Sequence, residues 1–345
     1  MQIDYTELSI LTDPNTSVLK ADPYQFLLSL TGPTIIDITG KNTHETYVVI
    51  TLINGNEPSG LIAIHRWLTE REIETKPRAN IRFILCSVES ALRTPLLNHA
   101  HLPNEIALTQ CFGVEFNHGI FKRAKLIESS IREVNPTIVV SLHNTPSYSP
   151  AFACATTLNN ESVSIAQYFI ETIVLSEQMP DRLQTLNFNC TNLAIYTGSP
   201  DDPQSHEVAF SGLEFLTRDT HCVDMTSSAS VLLHPKRLML YPTSKLSFSD
   251  ADEGNTGVTL RKDIDTFNFR PIKSGQHLGW LDEKGLANIC LLDHQNNVCT
   301  KRFLTTRNNQ LITATNMTIF LAPSVRHERN DETEQQEFIF YVIQN

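Results

Sequence analysis

Residues 47–68 read YVVITLINGNEPSGLIAIHRWL. Residues 47–53 form a continuous apolar, β-branched run, the pattern of a strand buried on both faces. Asn54-Gly55-Asn56 then makes a turn, Pro58 suits the first turn of a helix, and Leu61, Ile62, Ile64, Trp67 and Leu68 supply an apolar stripe. The same alternation continues outward. Strands are predicted at 81–86, 137–142 and 192–196, and helices at 120–134, 163–176 and 205–216, with another helix near 24–30. Strands alternating with helices of this length imply an α/β domain with a mostly parallel sheet flanked by helices, over residues 1–240. The texture changes beyond it. Short alternating stretches at 258–260, 266–272, 287–292, 310–322 and 337–343, divided by Gly, Asn and Asp turns, predict a small all-β barrel or sandwich over 241–345. The acidic run at 328–334 reads as a solvated hairpin loop.

Composition narrows the function classes. The chain has 345 residues and a formal charge of -11, with 19% charged and 41% hydrophobic residues. That balance belongs to a globular protein, and without a Lys/Arg stripe it argues against a nucleic-acid partner. No stretch of about 18 apolar residues is present, which argues against a membrane span. The opening MQIDYTELSILTDP has acidic residues where a secretory leader needs basic and then apolar ones, so a cytoplasmic protein is expected. Seven scattered cysteines, never spaced C-x-x-C, argue against a disulfide framework or a cysteine zinc site.

Ligands of open α/β sheets bind beyond the carboxyl ends of the strands. Two such ends here are polar: Asn54-Gly55-Asn56-Glu57 after the strand at 47–53, and His143-Asn144-Thr145 after the strand at 137–142. A residue, a spacer of two and a Glu, joined by a His from a neighbouring strand, outlines a catalytic zinc site with three protein ligands and one open position.

At these residues the chain resembles the succinylglutamate desuccinylase/aspartoacylase family of zinc-dependent deacylases, which has a carboxypeptidase-like fold. LINGNEPSGLIAIHRWL (52–68) is similar to the family's H-G-N-E-P-x-G motif, and VVSLHNT (139–145) to its D-L-H-N-T. GPTIIDITG (32–40), IRFILCSVESAL (81–92) and DIDTFNFRPIKSGQHLGW (263–280) resemble further segments in the same order. The resemblance implies a zinc centre, a small acidic or N-acyl amino acid as ligand and hydrolysis of an amide bond. A homo-oligomer is compatible with it.

Several positions depart from that pattern. The first zinc ligand, a His, falls on Asn54, while the second and third are kept as Glu57 and His143; the Asp of D-L-H is Ser141. The substrate-holding Asn and Arg fall on Thr109 and Gln110, and Asn144 is a further substrate-side position. The catalytic Glu falls on Tyr196 in AIYTG or, in another alignment, on Glu214 in SGLEFL; Tyr196 is preferred because Glu214 sits inside a predicted helix. A carboxamide is a weak zinc donor, Gln110 lacks the charged fork an Arg offers a carboxylate, and Tyr196 is no carboxylate base. The expectation is an eroded site with weak or absent zinc, in a non-catalytic or weakly active binding protein. The alternative is a working zinc hydrolase whose metal shell is completed by Asn54, or by His118, His206 or His221.

Simpler roles stand beside these. Asn54 suits a tight turn. His65, His277 and Trp280 are expected to pack, and Asp201-Asp202-Pro203 to start a helix.

Overall fold

The apolar run at 47–53 is buried as its composition demands: Val48, Val49, Ile50, Leu52 and Ile53 are all fully enclosed. It forms the end of one strand of a nine-stranded sheet. The computed structural model describes residues 3–71, 75–178, 181–218, 229–325 and 338–344, and the acidic run at 328–334 lies outside them. The sheet contains β1 (Ser9–Thr12), β2 (Thr34–Ile38), β3 (Asn42–Thr51), β4 (Ala79–Leu85), β5 (Ile138–His143), β6 (Phe152–Ala155), β7 (Thr172–Leu175), β8 (Thr191–Tyr196) and β9 (Ser230–Leu233). Its spatial order is β1-β2-β4-β3-β5-β8-β6-β7-β9. The centre is parallel: β3 runs parallel to β4 and β5, and β5 to β8. Antiparallel pairs flank it, β2 on β4 and β6 on β8. A fully buried centre of β-branched strands is the setting in which parallel pairing persists.

The helices up to residue 217 are α1 (Thr16–Leu19), α2 (Pro23–Ser29), α3 (Ser59–Glu70), α4 (Val88–Ala91), α5 (Ile120–Glu133), α6 (Asn160–Gln167) and α7 (Pro203–Thr217). On α3 the buried positions Leu61, Ile64 and Leu68 follow helical spacing and join the core with Val49, Phe83 and Val140. On the other sheet face α5 buries Phe121, Ala124, Ile127 and Ile131 against Val48, Ile50 and Val139. The helix expected over 163–176 is corrected. Helix α6 ends at Gln167, and β7 follows at Thr172–Leu175. Ile173 and Val174 are β-branched and fully buried, so the apolar periodicity of α6 had merged with that of the next strand.

Contact between α3 and β3 is close enough to need a glycine. A Cβ on Gly60 would lie 2.0 Å from Thr51 Oγ1 and 3.1 Å from Leu142 Cβ. Gly60→Ala is therefore expected to cost about 1–3 kcal/mol through overpacking, measured as a lower urea midpoint at unchanged slope.

The chain divides into two compact units, the first comprising 1–144, 151–173 and 177–231, and the second 145–150, 174–176 and 232–345. In the second unit β10 (Lys236–Leu240), β11 (Leu246–Ser249), β12 (Val258–Arg261), β13 (Pro271–Ile272), β14 (His277–Leu281), β15 (Ile289–Leu292), β16 (Leu304–Arg307), β17 (Gln310–Thr313), β18 (Met317–Phe320) and β19 (Phe338–Gln344) form two sheets. Their orders are β13-β18-β19-β10-β15 and β11-β12-β14-β17-β16, around a core that includes Leu238, Leu260, Leu291, Ile319 and Phe340. The stretch expected at 266–272 is mostly irregular. Asn268 donates to Tyr148 O at 2.8 Å and accepts from Ala322 N at 3.0 Å, which ties that segment by side chain instead of by a ladder. Among the described residues no helix is long and apolar enough to cross a membrane.

Candidate functional site

Strand β3 ends in a left-handed turn: Leu52 has φ +50° and is fully buried. A non-glycine residue held there is strained, and such positions cluster at sites that need a set geometry. The turn is pinned from the link between β4 and α4, because Ser87 N donates to Leu52 O and Ser87 Oγ to Ile53 O, both at 2.7 Å. Gly55 lies so near α4 that a Cβ would sit 2.6 Å from Ala91 N. These constraints aim Asn54 and Glu57 at the end of β5.

There Asn54 Nδ2 donates to Glu57 Oε1 at 2.7 Å, and His143 Nδ1 donates to Glu57 Oε2 at 2.9 Å. The other ring nitrogen, Nε2, lies 3.1 Å from both Ser141 Oγ and Asp181 Oδ2. Asp181 is fixed in turn, its Oδ1 accepting from Leu183 N at 2.9 Å. Glu57, His143 and Asp181 are 8%, 2% and 1% exposed. Burial by itself pushes the His143 imidazole down, but the carboxylates of Glu57 and Asp181 more than reverse this and raise it to about 10. Both nitrogens therefore carry protons at neutral pH, and each proton already has a carboxylate acceptor.

An aromatic stack closes one side. Register places His143, Tyr196 and Phe152 side by side on β5, β8 and β6. The His143 and Tyr196 rings stack with centres 5.1 Å apart, and the Tyr196 and Phe152 rings at 4.7 Å and 6°. Cross-strand aromatic neighbours of this kind fill the sheet end with fixed apolar surface.

Behind Glu57, Asn144 binds the start of α3. Ser59 N donates to Asn144 Oδ1 at 3.1 Å, while Asn144 Nδ2 donates to Ser59 Oγ at 2.7 Å and Gly198 O at 2.9 Å. Ser59 Oγ also lies 2.9 Å from His206 Nδ1 and 3.0 Å from Ser205 Oγ. Ser205 gives its own proton to Asp202 O. Ser59 thus joins Asn144, Ser205 and His206 in one hydrogen-bonded network at the start of α3. Burial holds the His206 imidazole below its ordinary value.

Asn54, Glu57, His143 and Tyr196 thus meet at one place, with Asn144 behind them. Thr109 and Gln110 lie on a separate short turn, Leu108–Gln110, with Thr109 buried and Gln110 exposed. Among the described residues no hydrogen bond joins them to Glu57 or His143. Glu214 faces outward on α7, its side chain 43% exposed and 3.9 Å from Arg218. His118 packs on Phe116 and Phe121, His65 bonds Leu19 O, and His221 lies outside the described residues. Asp202 caps α7. Asp181 escaped sequence reasoning; it follows no motif and reaches His143 only through the fold.

The donor set does not fit a catalytic zinc ion. Glu57 and His143 are two strong donors, the Asn54 carboxamide is a weak one, and Asp181 approaches the opposite edge of the His143 ring. Among the described residues no group of three or more His, Cys, Asp and Glu side chains is arranged to hold a metal.

No family model matches the chain, and no curated protein matches it. Solved structures do. The succinylglutamate desuccinylase of Vibrio parahaemolyticus is 15% identical with a TM-score of 0.59, covering 90% of this chain and 85% of that one. The succinylglutamate desuccinylase/aspartoacylase of Rhodobacter sphaeroides is 11% identical with a TM-score of 0.57, covering 91% and 88%. A product-bound structure of an ectoine utilization protein from Ruegeria pomeroyi also gives 11% and 0.57, with the same coverage. The chain has the succinylglutamate desuccinylase/aspartoacylase fold.

Proposed function

We propose that this chain is a non-catalytic relative of the succinylglutamate desuccinylases and aspartoacylases, in which the metal position is replaced by a closed network of Asn54, Glu57, His143 and Asp181. The observation that carries this reading is that both nitrogens of His143 face carboxylates, at 2.9 and 3.1 Å, so each proton of an imidazolium has an acceptor that an ion would have to displace. Tyr196, at the position of the family's catalytic Glu, is stacked between two rings and offers no carboxylate to take a proton from water. Gln110 is a neutral, exposed side chain at the position of the substrate Arg. Retention of a small acidic or acylated ligand has less support, because two carboxylates already match the one imidazolium.

The test is a deacylase assay on N-acetyl and N-succinyl amino acids with and without added zinc. No turnover above buffer is expected in either condition, and zinc-dependent turnover abolished by Glu57→Ala would refute the proposal.

A second reading rests on Asp181. A carboxylate accepting from one nitrogen of a histidine is how metal-bound imidazoles are oriented, and this contact favours a residual metal-assisted hydrolase in which Glu57 and His143 bind the ion. The same assay separates the two.

A further inference from the structure

The second unit carries two histidines that play no part in the site above. His234 lies in the two-residue link between β9 and β10, and His294 in the turn after β15; both are exposed. Their ring centres are 4.7 Å apart, with the planes tilted by 32°. Strands β10 and β15 pair antiparallel with Arg237 opposite Leu292, which brings both turns to the same end of neighbouring strands. Each backbone is pinned independently of the rings. His234 N donates to Leu175 O at 3.1 Å. On the other side Asp293 Oδ1 accepts from Gln295 N and Asn297 N at 2.9 and 2.8 Å, and Arg237 Nη2 donates to Asn296 Oδ1 at 2.7 Å.

We propose that His234 and His294 form a two-imidazole surface site for a borderline divalent transition-metal cation, with water completing the shell. Metal–nitrogen bonds of about 2.0–2.1 Å place the centres of two imidazoles on one ion about 4.5–5 Å apart, which the observed separation meets. Imidazole pairs suit copper, nickel and zinc, whereas magnesium and calcium require oxygen ligands. Hydrogen bonds from Asn297 and Gln295 hold the Asp293 carboxyl below its ordinary value, so an ionised carboxylate lies next to His294. The prepinned backbone lowers the ordering cost of bringing two rings to one ion.

Isothermal titration of untagged protein with copper(II) in a non-coordinating buffer tests this, with zinc(II) and magnesium(II) compared. One equivalent of copper should bind, more tightly than zinc, and magnesium should not bind. His234→Ala and His294→Ala should each weaken copper binding at least about tenfold, the least that losing even a group that only supports a metal ligand costs. His44→Ala, at an exposed histidine of β3 outside both sites, should leave it unchanged. Both histidines are exposed, and an unchanged melting temperature in each variant confirms that the fold persists; where an alanine variant lowers it, His234→Gln or His294→Gln serves instead. Absence of copper binding in the wild type, or binding that survives the double variant, would overturn the proposal.

Discussion

Asp181→Ala is expected to destabilise the α/β unit by about 3–5 kcal/mol, the usual cost of removing one partner from a buried ion pair. His143 and Asp181 are almost wholly enclosed, so little water could replace the lost carboxylate, and the Ser141 hydroxyl that stays 3.1 Å from Nε2 has no charge to match the imidazolium. Replacing Glu57, His143 and Asp181 together by Leu, Phe and Leu should cost less than the single change, since no buried charge is then left unmatched. Urea unfolding measures both. The network also dictates a pH dependence. His143 sits at about 10 in the folded chain against an ordinary 6.5. Its stabilisation is therefore fully present below about 6.5 and is lost as pH rises through about 10. Wild-type stability should fall more steeply between neutral pH and pH 10 than that of the triple variant, and equal slopes would contradict a protonated His143.

The second large effect concerns Asn54→His. The carboxamide now donates to Glu57 Oε1 at 2.7 Å, so an imidazole there would stand beside the two strong donors and complete a three-ligand set with an open fourth position. Zinc affinity should rise at least about a hundredfold, two steps of 1.4 kcal/mol, and should rise further with pH because His143 must release a proton to bind. Background from His234 and His294 is removed by making the change in a variant that lacks both. Deacylation should still be absent: Tyr196→Glu is needed before any N-acyl amino acid is cleaved, and Gln110→Arg before it is held. Unchanged zinc affinity in Asn54→His would show that Asn54 does not belong to this site.

Much of the α/β unit was legible because its central strands are buried on both faces, and a run such as residues 47–53 has no other stable place. The edges were harder. The strand at 172–175 follows a helix with only a short link, and its apolar residues continue the helix's periodicity, so local pattern alone could not divide them. In the site, His143 and Tyr196 end neighbouring parallel strands in register, and Asn54 and Glu57 lie in the turn that follows β3, so their meeting follows from the general placement of ligand sites beyond strand ends. Asp181 was not. It stands at the start of a short turn, Arg182–Thr185, that carries no motif, and its role depends on a contact across 38 residues of chain. Gln110 and Glu214 show the converse, since sequence alignment names a position without saying which way its side chain faces.

The most direct test is NMR of the His143 ring nitrogens at neutral pH, before and after one equivalent of zinc, in a variant lacking His234 and His294. Two protonated nitrogens, unchanged by zinc, are the expected result. A single unprotonated nitrogen that shifts on zinc addition would mean that His143 is a metal ligand and that the closed network is wrong.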